Sequence, residues 1–412
     1  MASLWRHADF LKLWSAQAVS AFGSRITREG LPMAAVLTLD ATPAQLGILA
    51  ALGLGPGVVV GLFAGGWIDR SRRRPLLIGS DLVRMALLMT VPLAGWSGLL
   101  AMPQLYVVAA LVGAAGVIFA IADHAYLPSL IGRDQLMEGN ARLEATDSVA
   151  EIGGPALAGL LFQIFSASMA ILGNAATYLF SAILLALIRT PEPPLKASRK
   201  DRHPLEGLVF GVRAIWAQPL VRPLLALTVV QSLFGSFFAS LYVLMAIRTL
   251  GLSTGLLGLI IAVGGIGALL GAVLAPVAVK RLGVGPAIIA MGAISAISSV
   301  LVPLSPVPTA GAVAFLVIAQ LLGDAFAVAA LIPAGTLRQS VFPPAWLGRT
   351  AAVFHVARGG MSVAGALLGG LLGQVIGVRE TLLVSAIGLM LAMLIPLFSP
   401  LRTLRTIPET PD

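Results

Sequence analysis

Apolar residues fall in long blocks along this chain, separated by short polar breaks that carry Pro, Gly or Arg. A helix that crosses a bilayer needs roughly 20 mostly apolar residues. Twelve blocks meet that length: residues 11–38, 44–67, 75–96, 104–126, 143–165, 168–189, 221–247, 254–279, 284–304, 308–333, 350–376 and 379–399. The fifth begins among polar residues, and only the run from Pro303 to Pro308 divides the ninth from the tenth. The longest polar stretch is Thr190 to Arg222. Pro191, Pro193 and Pro194 end the sixth block there, Lys196 to His203 is a basic run, and Pro204 to Gln218 has the pattern of a short amphipathic surface helix. The pattern predicts an all-α integral membrane protein of twelve transmembrane helices. Two six-helix halves, residues 1–190 and 221–412, are joined by a cytoplasmic linker at 191–220.

Composition agrees. The 412 residues are 58% hydrophobic and 11% charged, with a mean hydropathy of +0.95, whereas a soluble chain carries about 25% charged residues. The 45 glycines and 26 prolines suit membrane helices, which tolerate both. The absence of cysteine excludes disulfides, thiolate metal sites and cysteine nucleophiles. The first block is too long for a signal peptide, carries Arg25, Arg28 and Glu29, and lacks a small-residue cleavage site, so it is expected to be retained.

The net charge of +9 would suit a nucleic-acid partner, but its distribution points to a membrane. With the N-terminus inside, 21 of the 27 Lys and Arg residues fall in segments on the cytoplasmic side. Only Arg248 and Arg379 fall outside, while Arg25, Arg28, Arg84 and Arg358 lie within spans. Positive residues stay on the cytoplasmic side, so both termini are expected there.

An internal duplication is legible. A shift of 211 residues places Gly47 on Gly258, Gly53 on Gly264, Asp69-Arg70 on Lys280-Arg281 and Pro75 on Pro286. The same shift places Gly154 on Gly365, Gly159 on Gly370 and Gln163 on Gln374. One offset holding in distant regions predicts parallel six-helix repeats.

Four motifs carry a family resemblance that covers essentially the whole chain. They are Gly65 to Arg74, which reads G-x-x-x-D-R-x-x-R-R; the opening His7-Ala8-Asp9-Phe10 with Leu13-Trp14; Tyr126 to Ile131 with Leu136 and Asn140-Ala141; and Gly154-Pro155-Ala156-Leu157-Ala158-Gly159. With these the chain resembles the major facilitator superfamily, and within it the drug:proton antiporter-3 group of macrolide efflux proteins and the enterobactin exporter. The resemblance implies the superfamily fold, two pseudo-symmetric halves and transport by alternating access. It also implies gating roles for Gly65, Asp69, Arg70, Arg73, Gly154, Pro155 and Gly159. Asp69 would sit at the N-terminus of the eleventh span, and Arg70 and Arg73 would pair with nearby acids such as Asp134. The chain departs from the family where Ser24 and Ala120 replace frequent acidic residues, and where Asp147 and Glu151 replace a basic and an amide residue. The family's proton-coupling residues therefore do not carry over directly.

Charges inside spans are expensive and mark candidate sites. In the first span Arg25 and Glu29 stand four apart and are expected to pair. Arg28 then calls for an anionic substrate group or a carboxylate on another helix. Asp123 and His124 lie near the inner end of the fourth span. Asp147 and Glu151, four apart in the inner third of the fifth, are expected to raise each other's pKa. Asp324 lies alone near the middle of the tenth span, a candidate proton or cationic-substrate site. His355 and Arg358 lie on the inner part of the eleventh, where a structural role is favoured. The candidate substrate and proton-coupling residues are thus Asp324, Glu29, Arg28, Glu151, Asp123 and Asp147.

No G-x-x-x-x-G-K-[ST] run, zinc-ligand spacing or G-x-S-x-G elbow is present, so no ATP drive, metal, cofactor or enzymatic activity is expected. The reading that fits is a proton-coupled efflux antiporter of small amphipathic compounds such as drugs or siderophores. It would act as a monomer in a bacterial inner membrane and bind no nucleic acid. A facilitator or importer of a small metabolite keeps the same fold. A non-transporting membrane sensor on a transporter fold is the reading from another class.

Overall fold

A computed structural model describes Leu4 and residues 7–63, 67–68, 70–132, 135–192, 204–306 and 309–408. The signature residues Gly65 and Asp69, the acid Asp134 and the basic run Lys196 to His203 lie outside the described residues.

The described chain is helical throughout: α1 (Ala8–Thr38), α2 (Pro43–Phe63), α3 (Arg73–Trp96), α4 (Met102–Leu130), α5 (Leu136–Ile164), α6 (Ala167–Ala186), α7 (Pro204–Ala217), α8 (Arg222–Leu244), α9 (Thr254–Leu282), α10 (Val284–Ser299), α11 (Thr309–Val341), α12 (Pro344–Val375) and α13 (Val378–Ala392). Helices satisfy every backbone polar group internally, which is what a bilayer demands. Among the described residues, nine helices are long and apolar enough to cross a membrane by length and composition. The three remaining predicted spans also form helices. α1 and α5 carry several charged residues, and α10 is a short apolar helix of 16 residues. The ninth block thus ends sooner than predicted, at Ser299 rather than residue 304. The fifth begins earlier, at Leu136 rather than 143, because its polar first turns are helical too. Asp147 and Glu151 therefore lie near the middle of α5, because the helix continues past the inner end of the predicted span.

The chain forms two compact units. Unit 1 comprises residues 1–41, 52–201 and 253–259; unit 2 comprises 42–51, 202–252 and 260–412. In unit 1, α1 packs on α5 and α6, and α3 on α4 and α6. In unit 2, α8 packs on α12 and α13, and α10 on α11. Phe10, Leu13, Leu77, Tyr126 and Leu185 anchor the first core; Ile215, Leu224, Ile288, Leu337 and Leu401 anchor the second. α7 lies against α12, with Gly211 against the backbone of Arg349 and Phe210 edge-on to Trp346 at 5.0 Å. Its Val209, Val212 and Trp216 stay exposed.

The duplication reappears as repeated contacts. Inside unit 2 a Cβ on Gly47 would stand 2.8 Å from the Cα of Gly370. Inside unit 1 a Cβ on Gly258 would stand 2.9 Å from the Cα of Gly159. These two pairs exchange under the 211-residue shift. Gly154 against Arg25 and Gly365 against Ser236 are related in the same way, as are Gly53 against Gly113 and Gly264 against Asp324. Lipid gives no hydrophobic drive for helices to associate, so close packing through small residues supplies the attraction.

Gly159→Ala should lower the melting temperature and the monodisperse yield, because the new methyl meets backbone on Gly258 and Thr254. Gly173→Ala on α6, where a Cβ meets nothing within 4 Å, should be neutral or stabilising by up to about 1 kcal/mol. Fluorescence-detected size exclusion after heating measures both, and equal melting of the two variants would contradict this packing.

Candidate functional site

Near the middle of unit 1, α1 and α5 bring five charges together. Arg28 Nε donates to Glu29 Oε1 at 2.9 Å, and its Nη2 donates to Glu151 Oε1 at 2.9 Å. Arg25 Nη2 donates to Asp147 at 3.2 Å, and its Nε lies 2.6 Å from Glu151 Oε2. The carboxylate expected on another helix for Arg28 is thus Glu151. The expected Arg25–Glu29 pair does not form: Glu29 turns to its neighbour Arg28. Nor do Asp147 and Glu151 face each other as like charges, since an arginine answers each. Gly154 makes this possible, because the Arg25 side chain crosses where a Cβ would stand. The cluster is open on one side, with Arg28 47% and Glu151 44% exposed. Charges at membrane depth do not face hydrocarbon, so this face of α1 and α5 borders water.

A second group of charges is sealed. Asp81 and Arg84, one turn apart on α3, pair at 2.6 Å with side chains 0% and 3% exposed. The Arg84 guanidinium stacks between Phe119 and Tyr178, 4.5 Å from each ring centre, and donates to Ser24 Oγ at 3.3 Å. Ser20 Oγ donates to Asp81 at 3.3 Å, and Asn174, Thr27 and Tyr178 extend the polar chain. Arg84 thus has a countercharge, two aromatic faces and a hydroxyl. Sequence reading noted Arg84 within a span but missed Asp81. The available signal was the D-x-x-R spacing inside an apolar block, which puts both side chains on one helix face.

Asp123 sits one helix over. Gln17 Nε2 donates to Asp123 Oδ1, and among the described residues no cation contacts it. His124 is exposed. In unit 2 the Asp324 side chain lies across Gly264 of α9, beside Gln320. Arg338 stacks on Phe354 at 4.6 Å, while His355 and Arg358 are exposed on α12. Asp69, a partner considered for Arg358, lies outside the described residues. Pro155 kinks no helix boundary into being: α5 runs through it, and its carbonyl lies against Gly258. Among the described residues, no group of three or more His, Asp or Glu side chains could hold a metal ion.

At the end of unit 1 where α1 begins, polar groups tie the helix termini. Glu192 accepts from the backbone N–H of Arg73 at 2.7 Å and lies 3.7 Å from its guanidinium, which caps the start of α3. Arg74 donates to the carbonyls of Leu185 and Ala186, which caps the end of α6. Glu192 was not foreseen as the partner of Arg73. Asp9 accepts from Lys12, from the hydroxyl and N–H of Thr190 and from the N–H of Arg189. Burial alone would raise its pKa, but these donors together outweigh it and hold the carboxyl well below the usual carboxylate range.

Two outcomes follow for stability. Asp81→Asn, which leaves Arg84 buried without a countercharge, should cost about 3–5 kcal/mol. The double variant Asp81→Asn/Arg84→Gln should recover part of that loss in thermal melting. For Asp9, the depressed folded pKa means the stabilisation is fully present above the unfolded value of about 3.9 and is lost as pH falls below it. Asp9→Asn should therefore melt earlier than wild type at pH 7, and the gap should begin to narrow below about pH 5 and go on narrowing as pH falls through the unfolded value of about 3.9 and below it.

Comparison with known proteins places this architecture. The family model of the Major Facilitator Superfamily matches residues 13–366. An uncharacterized MFS-type transporter, y4rN, of Sinorhizobium fredii (strain NBRC 101917 / NGR234) is 28% identical over 238 residues, 56% of this chain and 57% of that protein. Macrolide efflux protein A of Streptococcus pyogenes is 25% identical over 186 residues, 44% of this chain and 45% of that protein. The chain therefore spans about half the length of these curated relatives. The enterobactin exporter EntS of Citrobacter koseri is 28% identical over 289 residues, 69% of this chain and 67% of the exporter. Among solved structures, a bacterial homologue of the iron transporter ferroportin in its inward-facing state superposes with a TM-score of 0.77 at 17% identity. That match covers 96% of this chain and 98% of the homologue, and it shows the same fold. With its paired six-helix pattern, its signature loop and a family match over most of its length, this chain belongs to the Major Facilitator Superfamily, a family of transporters rather than enzymes.

Proposed function

We propose that the chain is a proton-coupled exporter of small amphipathic compounds, working by alternating access in a bacterial cytoplasmic membrane with both termini inside. Relatives named for macrolide efflux and enterobactin export support the direction and the kind of cargo. The observation that carries the coupling is Asp123. It lies inside an apolar helix and contacts an amide, with no cation among the described residues. Protonating it leaves no buried cation without a countercharge, whereas protonating Asp147 or Glu151 would strip Arg25 or Arg28 of a partner. A carboxylate of this kind loads and unloads a proton at least cost. Asp324, packed on Gly264 at the duplicated position, is the candidate second carrier. Each unit of pH gradient supplies about 1.4 kcal/mol per proton, enough to support roughly a tenfold substrate gradient at one-to-one exchange.

The test uses proteoliposomes with an imposed proton gradient, a pH-sensitive dye and a panel containing a macrolide and a catecholate siderophore. Wild type should couple substrate movement to proton flux, and Asp123→Asn should lower the coupled rate at least about tenfold while the protein stays monodisperse. Full coupling in Asp123→Asn would remove that residue as the carrier and direct the search to Asp324. Substrate movement without any proton flux would overturn the coupling itself.

A further inference from the structure

We propose that Arg358 of α12 is a binding site for the negative group of an amphipathic organic anion or zwitterion, and so that the transported compounds carry such a group. Gly348, Ala351, His355, Arg358 and Ser362 recur at steps of three and four along α12, which places them on one face. Gly348, Ala351, His355 and Arg358 are exposed. The large exposed apolar residues of the same helix, Leu367, Leu368, Leu371 and Val375, project to the opposite side at about 100° per residue. One side of α12 thus suits hydrocarbon, and the small and polar side borders water. Arg358 stands at the middle of the 32-residue helix and within the eleventh apolar block, where an unanswered charge is costly.

The duplication explains why no carboxylate among the described residues answers Arg358. Under the 211-residue shift, Asn140, Glu144, Asp147 and Glu151 of α5 fall on Ala351, His355, Arg358 and Ser362 of α12. The stripe recurs with its charge inverted. In unit 1 the acidic stripe is answered from α1 by Arg25 and Arg28. The corresponding positions on α8 are Ser236 and Ala239, which bear no charge. Of the four arginines inside spans, Arg25, Arg28 and Arg84 have carboxylate partners, and among the described residues Arg358 has none. Arg338 adds a second cation on α11, stacked on Phe354 one turn from Arg358. A guanidinium in water within a span, with no carboxylate against it among the described residues, is matched to a carboxylate, sulfonate or phosphate, which it grips through two parallel N–H donors.

This inference rests on the transport reading for its purpose, but its test needs no proton gradient, so the two fail separately. The chain has no cysteine, so Ser362→Cys in the full chain, held in zwitterionic nanodiscs, reports alone. An anionic methanethiosulfonate should modify it faster than a cationic one, and Arg358→Gln should lower that ratio about tenfold. Arg358→Lys should keep the preference and guards against a Gln variant that fails to fold. The sulfonate probe 8-anilino-1-naphthalenesulfonate should slow modification several-fold when position 358 is Arg or Lys and not when it is Gln. Its uncharged analogue N-phenyl-1-naphthylamine should not distinguish them. A cysteine inert to both reagents, a ratio indifferent to Arg358, or protection that is absent or equal in Arg358→Gln would each overturn the proposal.

Discussion

The structure is organised by the cost of placing charge at membrane depth. Each ionised group on a spanning helix needs a countercharge, a hydrogen-bonding shell or water, and unit 1 uses all three. Arg84 is sealed with Asp81 between two aromatic rings. Arg25 and Arg28 share three carboxylates on a face open to water. These demands fix the rotation of α1, since Ser20 and Ser24 must reach the sealed pair while Arg25 and Arg28 reach α5. They also fix α5, whose apolar side bears Val149, Leu157, Leu160 and Ile164.

The second organising device is close backbone approach. Lipid does not push helices together, so contact must come from shape. The glycines that meet across α5 and α9, and across α2 and α12, bring backbones together where any side chain would hold them apart. That these contacts obey the offset found in the sequence means that duplication preserved the packing scaffold. The charges did not follow: Asp147 became Arg358 in register, and Gly113 became Asp324. Scaffold glycines are held by sterics, which both halves share. Charged positions answer to the chemistry of each half, and there the repeats diverge.

Much of this was legible in the sequence because it depends on local pattern. Block length gave the spans, arginine distribution gave an expected orientation, and the shift of 211 residues gave the repeat. The errors share one origin. Spacing of four suggested that Arg25 pairs with Glu29 and that Asp147 opposes Glu151, but a long side chain can equally reach a neighbouring helix, and pairing across α1 and α5 satisfied four groups instead of two. Asp81 was missed because it lies close to the end of its block, where a carboxylate is unremarkable unless its partner is known. Glu192 was missed because its role is to cap a helix over a hundred residues away.

The sequence by itself determined the solvent, the number of spanning segments, the internal repeat and which residues had to be accounted for. These follow from hydropathy and periodicity, which are properties of consecutive residues. Only the tertiary structure decided which carboxylate answers which arginine, that Arg84 is sealed while Arg28 is open, and that Asp123 meets an amide while Arg358 meets no carboxylate among the described residues. Those outcomes turn on the rotation of each helix about its axis and on the distance between helices. Both are set by packing among residues far apart in the chain.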